Sequence, residues 1–128
     1  MNYISDTHSL VWYFTDDLRL SRKAFEAFEN CIKEGTIIIP TIVLAELMFI
    51  ADKGKISLSF EETLDKIEYY KNFQIAPLDI DILKIANKIK ISLEMHDKLI
   101  IATTIYLGTT LITKDKHIRN SGLCSTIW

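Results

Sequence analysis

The chain contains few of the residues that cross-link a fold or interrupt it. It has two cysteines, four glycines and two prolines among 128 residues. Two cysteines are too few for a disulfide-rich scaffold, and Cys31 and Cys124 lie too far apart for a Cys-x-x-Cys zinc or redox motif. The low glycine and proline content excludes collagen-like and low-complexity linker sequences. We therefore expect reduced, buried thiols in a globular protein.

An excess of positive charge and a long apolar run are also missing. Fifteen Lys and Arg residues stand against seventeen Asp and Glu residues, and the formal net charge is −2. This charge excludes a generic basic nucleic-acid coat protein, because non-specific phosphate binding needs clustered cations. The longest uncharged run, residues 99–113, is shorter than the roughly 18 residues of a membrane-spanning helix. Since the N-terminus also lacks the pattern of a secretory signal, the sequence predicts a soluble, cytoplasmic protein without a membrane contact.

The length and the alternation of short apolar runs with helical patterns indicate one α/β domain over residues 1–128. Strands are predicted at residues 2–5, 36–39, 73–76, 109–113 and 124–127. Helices are predicted after a cap at Asp6–Thr7, from Ser21 to Gly35, over 41–51, from a capping box at Ser59-x-x-Glu62, over 80–93, and from Asp97 to Gly108. The expected architecture is a three-layer sandwich around a mainly parallel central sheet.

Four carboxylates fall near the carboxyl ends of the predicted strands, where ligands gather in parallel sheets. Asp6 follows the first strand, Asp115 follows the strand that ends at Thr113, and Asp97 opens the helix leading into that strand. Glu46 stands alone in the apolar segment IVLAELMFIA, one turn into a helix. A simpler interpretation stays open, in which Asp6 and Asp97 are helix caps and Asp115 is a solvated turn residue.

Glu46 is difficult to explain as a purely structural residue. Burying an unpaired carboxylate is costly, and no Lys or Arg lies within one helical turn of it. We therefore expect it to face a polar cavity or a cation. Four converging carboxylates remain ionised only when a cation neutralises them, and oxygen ligands suit Mg²⁺ or Mn²⁺. Such an ion activates water and screens phosphoryl charge, so the residues indicate a metal-dependent phosphoryl hydrolase.

Three segments, DTHSLVW at 6–12, LAEL at 44–47 and HDKLIIATTIYLGTTLITKD at 96–115, resemble the PIN-domain nucleases. Within that family the sequence is most similar to the VapC-type toxins of bacterial toxin–antitoxin pairs, over essentially the whole chain. The resemblance implies a metal-dependent endoribonuclease that hydrolyses RNA phosphodiester bonds by metal-activated water. It assigns catalysis and binding of Mg²⁺ or Mn²⁺ to Asp6, Glu46, Asp97 and Asp115.

The same resemblance distributes roles among these residues. Asp6 and Asp97 would bind the ion directly. Glu46 and Asp115 would hold its waters or a second ion, and one of them would orient the attacking water. Thr113, at the end of its strand, is similar to a hydroxyl residue that supports the site in the family.

Basic residues near these acids are candidates for RNA contacts. Many relatives carry Arg after the third acid, where this chain has Lys98, which lacks the bidentate phosphate geometry of Arg. Lys114, Lys116 and Arg119 form the one dense basic stretch, KDKHIR. This stretch is either a solvated loop or an edge that positions RNA phosphates without reading sequence.

The three histidines and the aromatic residues near the N-terminus have simpler expected roles. His8 is expected to be structural or to act behind the metal ligands, His96 to be a helix-entry residue, and His117 to belong to the basic stretch. The aromatic residues at helical spacing are expected in the core or at an interface rather than as base-stacking platforms; they are Trp12, Phe14, Phe25 and Phe28.

Met48 and Phe49 add more apolar surface than one small domain needs to bury, which favours a homodimer or a groove for an antitoxin. The resemblance points the same way, because PIN-domain toxins usually dimerise and are held inactive by a cognate antitoxin.

Two other classes of function are alternatives to the endoribonuclease toxin. A phosphoacceptor receiver domain has a similar length and layering, but it needs paired acids directly after the first strand, where Asp6 stands alone. A non-catalytic PIN-like interaction module would use the carboxylates only as caps and turn residues. That second alternative predicts that Glu46 is exposed and that neutralising it changes nothing.

Overall fold

The structure is a computed structural model that describes all residues from Met1 to Trp128. Five strands alternate with seven helices. The strands are β1 (Asn2–Ser5), β2 (Thr36–Pro40), β3 (Phe73–Ala76), β4 (Thr110–Ile112) and β5 (Ser125–Ile127). The helices are α1 (Thr7–Phe14), α2 (Arg22–Glu34), α3 (Thr41–Asp52), α4 (Phe60–Tyr69), α5 (Ile80–Asn87), α6 (Met95–Leu107) and α7 (Lys116–Ser121).

All five strands form one parallel sheet in the order β3-β2-β1-β4-β5. The first strand of the chain is therefore central, with Ile4 paired to Ile38 on one side and to Leu111 on the other. Parallel neighbours need crossover connections, and the helices that make these connections cover both faces of the sheet. The predicted three-layer α/β sandwich with a parallel central sheet is confirmed.

Apolar residues of the central strands and of the helices above and below them form the core. Both sheet faces are covered, which suits a strand such as β2, a β-branched run (TIIIP) rather than an alternating pattern. The fully buried side chains include Ile4, Ile37, Ile39, Leu111 and Ile112 from the strands and Leu10, Phe28, Leu47 and Ile101 from the helices. Trp12, Phe14 and Phe28 are buried as expected, whereas Phe25 is partly exposed.

Gly35 permits a close approach between the N-terminus and β2. A Cβ atom at this position would lie 2.0 Å from the carbonyl oxygen of Met1. The same oxygen accepts a hydrogen bond of 3.1 Å from the Thr36 amide. Glycine therefore ends α2 and also allows β1 and β2 to pair from their first residues.

Several predicted boundaries are wrong, each for a local reason. The helix predicted over 80–93 ends at Asn87, because the amides of Lys88 and Ile89 bond three residues back, to Ile85 and Ala86, and close the helix with a tighter turn. Ile89 is nevertheless buried, so an irregular segment reproduces the apolar spacing of a helix.

The start of the next helix and the end of the chain also differ from the predictions. α6 begins at Met95 rather than at Asp97. β4 and β5 are each shorter than predicted, and the basic stretch contains the short helix α7 rather than only a loop. Cys31 is buried and Cys124 half-buried, and both are free thiols. The structure contains no helix with the length and apolar character needed to span a membrane.

Candidate active site

The carboxyl ends of β1 and β4 bring the predicted acids to one edge of the sheet. Asp6 directly follows β1, and its amide donates a 3.2 Å hydrogen bond to the Ile112 carbonyl at the end of β4. Asp115 follows β4, and the remaining two acids lie on α3 and α6. All four carboxylates line one cavity of 540 Å³, together with Thr7, His8, Trp12, Arg19, Glu94, His96, Ile100 and Lys114.

Two of the four acids are helix caps as well as cavity residues. Asp6 Oδ1 accepts a 2.9 Å hydrogen bond from the Ser9 amide at the start of α1. Asp115 Oδ1 accepts hydrogen bonds from the amides of His117 (2.8 Å) and Ile118 (3.2 Å) at the start of α7. Capping and lining the cavity are compatible, because a cap bond holds the carboxylate in a defined orientation.

Asp97 is not a cap, and that alternative for it is wrong. The N-cap of α6 is Glu94, which makes no side-chain cap bond. Asp97 lies in the first turn of α6, where a negative charge interacts favourably with the helix dipole.

Glu46 lies in the cavity with a partner on each carboxylate oxygen. The Thr7 hydroxyl donates to Oε1, and His96 Nε2 lies 2.9 Å from Oε2. The side chain is only 18% exposed. It thus faces a polar cavity, as expected of a carboxylate in an apolar helix, and it is not the exposed residue that a passive interaction module requires.

His96 is the centre of the cluster. Besides Glu46, its Nε2 lies 3.4 Å from Asp97 Oδ1, and its Nδ1 lies 3.5 Å from Glu94 Oε2. Glu94, His96 and Asp97 offer ligand atoms within 4.8 Å of one another. His96 is therefore an integral part of the carboxylate cluster, whereas the sequence indicated only a helix-entry residue.

The electrostatics of the cluster disfavour full ionisation. Burial raises the pKa of Asp97 above its usual value; the neighbouring His96 lowers it, and the charges of Asp115 and Glu46 raise it further. Burial also raises the pKa of Asp6, against hydrogen bonds from Ser9 and Thr113 that lower it. Burial, together with repulsion at Asp97, thus favours a compensating positive charge in the cavity.

The donor set of this cavity fits a hard divalent cation. It contains five carboxylates but only two permanently charged cations, Arg19 and Lys114. Neither cation forms an ion pair with a cavity carboxylate. The imidazole of His96 is the one side-chain nitrogen ligand in contact with the acids. Oxygen-rich sets of this kind suit Mg²⁺ or Mn²⁺.

Thr113 lies beneath these acids. It is fully buried, and its hydroxyl accepts a 3.2 Å hydrogen bond from the Asp115 amide.

The four predicted basic residues divide into two groups. Lys114 lines the cavity. Lys98 lines a separate, mostly apolar depression between α5 and α6, while Lys116 and Arg119 are exposed on α7. The structure therefore brings Lys114 alone of these four into the cavity.

Several cavity residues were not predicted from the sequence as members of the site. The sequence indicates Thr7 only as a helix cap, although its position directly after Asp6 in the DTH segment places it beside a predicted site residue. Arg19 and Glu94 carried no signal, because both are exposed charged residues in connecting segments. Only the path of the chain places them at the cavity.

Comparison with known proteins agrees with this architecture. A family model for the PIN domain matches residues 3–122 of the chain. No curated protein sequence matches it significantly.

Solved structures with a similar fold come from several bacteria. VapBC2 from Rickettsia felis, bound to a DNA fragment from its promoter, superposes with a TM-score of 0.74 at 20% identity over 99% of this chain and 98% of that chain. A toxin–antitoxin complex from Klebsiella pneumoniae has a TM-score of 0.71 at 21% identity, over 98% and 96% of the two chains. VapC20 from Mycobacterium tuberculosis, a toxin that cleaves the sarcin–ricin loop, has a TM-score of 0.66 at 12% identity, over 95% of each chain. At these low identities, the superpositions show a shared fold.

Proposed function

The chain belongs to the PIN domain family, and on that premise we propose that it is a VapC-type toxin. In this proposal it is an endoribonuclease that hydrolyses RNA phosphodiester bonds with the help of Mg²⁺ or Mn²⁺. A cognate antitoxin neutralises it. The similarity to the VapBC2 and VapC20 structures supports the choice of the VapC type within the family.

One observation carries the proposal. Four carboxylates from separate parts of the chain, namely Asp6, Glu46, Asp97 and Asp115, line a single open polar cavity at the carboxyl edge of the sheet. Three of them are oriented by hydrogen bonds or a close polar contact to a neighbouring group. A purely structural role does not require acids of such different sequence position to converge where they repel one another.

Asp6 and Asp97 would hold the metal ion directly, and Glu46 and Asp115 would hold its water ligands or a second ion. Thr113 would support the site from below through its contacts with Asp6 and Asp115. When bound, a divalent ion lowers the pKa of a coordinated water and screens the charge of the phosphoryl oxygens.

The chain's own residues would orient the reacting groups. Glu46, fixed by Thr7 and His96, or Asp115, fixed by the first amides of α7, would orient the attacking water. Attack of water on phosphorus with departure of the 3′ oxygen, which takes up a proton, leaves 5′-phosphate and 3′-hydroxyl ends. The cations at the rim of the cavity would attract the polyanionic substrate.

Exposed apolar side chains support protein partners. On α3, Met48 and Phe49 are 47% and 57% exposed, and Ile80 on α5 and Met95 on α6 are more exposed still. Large apolar side chains left exposed in this way are typical of surfaces that bind other proteins. We assign them to an antitoxin segment and to a second copy of the chain, and light scattering of the purified protein would measure the expected dimer.

The decisive experiment is cleavage of bacterial total RNA by the purified chain with Mg²⁺, with Mn²⁺ and with EDTA. Wild type should cut in either metal and not in EDTA, leaving 5′-phosphate ends. Asp97→Asn should lower the rate at least about 100-fold, since metal-bound water supplies most of the nucleophile. Asp81→Asn is the matched control, because Asp81 is an exposed carboxylate in the first turn of another helix, α5, outside the cavity.

Expression in a bacterial host tests the toxin role separately. Wild type and Asp81→Asn should arrest growth, and Asp97→Asn should not. If the folded wild type cuts no RNA faster than Asp97→Asn in either metal, the endoribonuclease proposal is wrong and the non-catalytic interaction module takes its place.

A further inference from the structure

Two cations at the rim of the cavity have no role in neutralising its acids. Arg19 lies in the segment between α1 and α2, and Lys114 lies between β4 and α7; both line the cavity. Neither pairs with a cavity carboxylate. Lys114 forms no ion pair and Arg19 keeps donors that its partner Asp17 does not use, so both can contact a bound anion.

Arg19 is held in a defined orientation by its neighbours. Its Nε and Nη2 donate to the two carboxylate oxygens of Asp17 at 3.0 and 2.7 Å, and its own amide donates to Asp17 Oδ1 at 2.9 Å. This pairing lowers the pKa of Asp17 to about 2. The guanidinium carbon lies 5.0 Å from the centroid of the Trp12 ring.

The surroundings of Trp12 help to hold this arrangement in place. Trp12 is only 8% exposed, so it is not itself a stacking platform for bases. Trp128 packs edge-on against it at 6.0 Å, and the Trp12 carbonyl accepts a 2.9 Å hydrogen bond from the Asp17 amide. Arg19 thus contacts the Trp12 ring and Asp17, and Asp17 is itself held by the Trp12 backbone.

Stability does not account for this construction. The Arg19 side chain is 64% exposed, and exposed ion pairs contribute little to folding. Its Nη1 donors and one Nη2 donor have no partner in the chain, since Asp17 uses only Nε and Nη2. Lys114 Nζ lies 5.6 Å from the same Trp12 centroid and, unlike Arg19, forms no ion pair. The free amino group of Lys114 and the unpaired guanidinium donors of Arg19 therefore lie against one ring beside a cluster of acids.

We propose that Arg19 and Lys114, supported by Trp12, bind a backbone phosphate of the RNA strand next to the bond that is cut. Asp17 is then a positioning residue, because it orients the guanidinium and does not touch the substrate. Free guanidinium donors match phosphate oxygens in geometry and charge. This inference rests on the proposed function and adds to it a substrate contact outside the acids.

The test is binding of a short 5′-fluorescein-labelled oligouridylate, followed by anisotropy at several salt concentrations. Ca²⁺ replaces Mg²⁺ to neutralise the acids, and a gel checks that the probe stays intact. Each phosphate contact contributes about 0.7 to the salt slope of single-strand binding. Because both cations contact one phosphate, Arg19→Ala with Lys114→Ala should reduce the slope by about 0.7. Arg19→Ala alone should remove part of this slope and weaken binding about tenfold at low salt.

Matched variants separate a phosphate contact from a general charge or folding effect. Arg22→Ala removes the same charge from an exposed arginine three residues away that pairs with Glu26, and it should leave slope and affinity close to wild type. Arg19→Lys should keep the slope but lose affinity, because the charge remains without the fork geometry. Asp17→Ala should lose affinity as Arg19→Lys does, since it keeps the cation and removes the side chain that orients it.

The outcomes distinguish this inference from the proposed function. With total RNA and Mn²⁺, Arg19→Ala should raise KM at nearly unchanged kcat, and its stabilisation by Mn²⁺ should equal that of wild type. If wild type cuts RNA but Arg19→Ala matches Arg22→Ala in slope and affinity, the phosphate site is refuted and the nuclease stands. If wild type neither binds nor cuts RNA, both are refuted. A loss of stability in Arg19→Ala and Arg19→Lys alike, with an unchanged salt slope, would reduce Arg19 to a structural residue.

Discussion

Asp97→Asn should remove most of the stabilisation of the protein by Mn²⁺ and leave the metal-free protein about as stable as wild type. A ligand that binds only the native state adds RT ln(1 + [L]/Kd), about 2.7 kcal/mol at one hundred times Kd. The unfolding entropy of about 2.1 cal/mol/K per residue gives about 0.27 kcal/mol/K for 128 residues. The wild-type melting temperature should therefore rise by about 10 °C.

In the metal-free variant two effects oppose each other. The substitution removes a carboxylate whose ionised form is disfavoured by burial and by the charges of Asp115 and Glu46. It also removes a negative charge from the first turn of α6, which costs about 0.3–1 kcal/mol. The net change in melting temperature should stay within about 4 °C.

The response to metal should differ much more. Losing a group that only supports a metal ligand weakens metal binding by about 10- to 100-fold. Loss of a direct oxygen ligand should therefore raise the Kd for Mn²⁺ by about 100-fold. At the Mn²⁺ concentration that gives wild type its full shift, the variant should then gain about 0.4 kcal/mol, or about 1.5 °C.

Thermal unfolding in EDTA and across a Mn²⁺ titration measures both quantities without knowledge of the RNA target. Asp81→Asn, with its exposed carboxylate in the first turn of α5, should keep the full wild-type shift. An equal rise in wild type and Asp97→Asn would refute the assignment of Asp97 as a direct ligand. If Asp81→Asn also lost the rise in melting temperature, the rise would reflect the general negative charge of the protein and not a ligand in the cavity.

Three further predictions follow from contacts within and near the cavity. In EDTA, wild type should lose stability relative to Asp97→Asn as the pH rises through the raised pKa of Asp97, because the folded state holds that proton more tightly than the unfolded chain. Urea unfolding over about pH 4 to 8 measures this difference in stability, and a difference that changes with pH in the opposite direction would contradict the prediction. His96→Ala should cost the metal-free protein about 1–2 kcal/mol, because Glu46 and Asp97 lose their shared imidazole, and saturating Mn²⁺ should recover most of this loss in thermal unfolding. Tyr13→Phe should cost about 1–2 kcal/mol in urea unfolding by removing the hydroxyl that donates to Glu29, and Glu29→Gln, which keeps an acceptor, should cost less.

Most of the fold could be predicted because the signals are local. Ser59 and Glu62 form the expected capping box, and the apolar run at Phe73–Ala76 is β3 with the predicted bounds. Alternating strands and helices allow few arrangements other than a parallel sheet with crossovers. The prediction of a helix over 80–93 was wrong because Ile89 is buried by tertiary packing in a segment that is no longer helical.

The acids of the cavity were predictable in part, for different reasons. Asp6 and Asp115 follow strands directly, so the sheet alone determines their edge. Glu46 was recognisable as an acid in an apolar helix that must face something polar. The partners of Glu46 could not be read from the chain, since Thr7 and His96 lie far from it in sequence and meet it only across the fold.

The sequence by itself determined the class of the fold, the edge of the sheet at which acids gather and the chemistry that such acids favour. Those properties depend on composition, period and neighbours along the chain. Only the tertiary structure decided that His96 joins Glu46 and Asp97 and that Arg19 reaches the Trp12 ring at the cavity rim. Such contacts depend on the paths of irregular segments and on helix packing, where side-chain separations of a few ångströms arise from the whole fold and leave no periodic trace in the sequence.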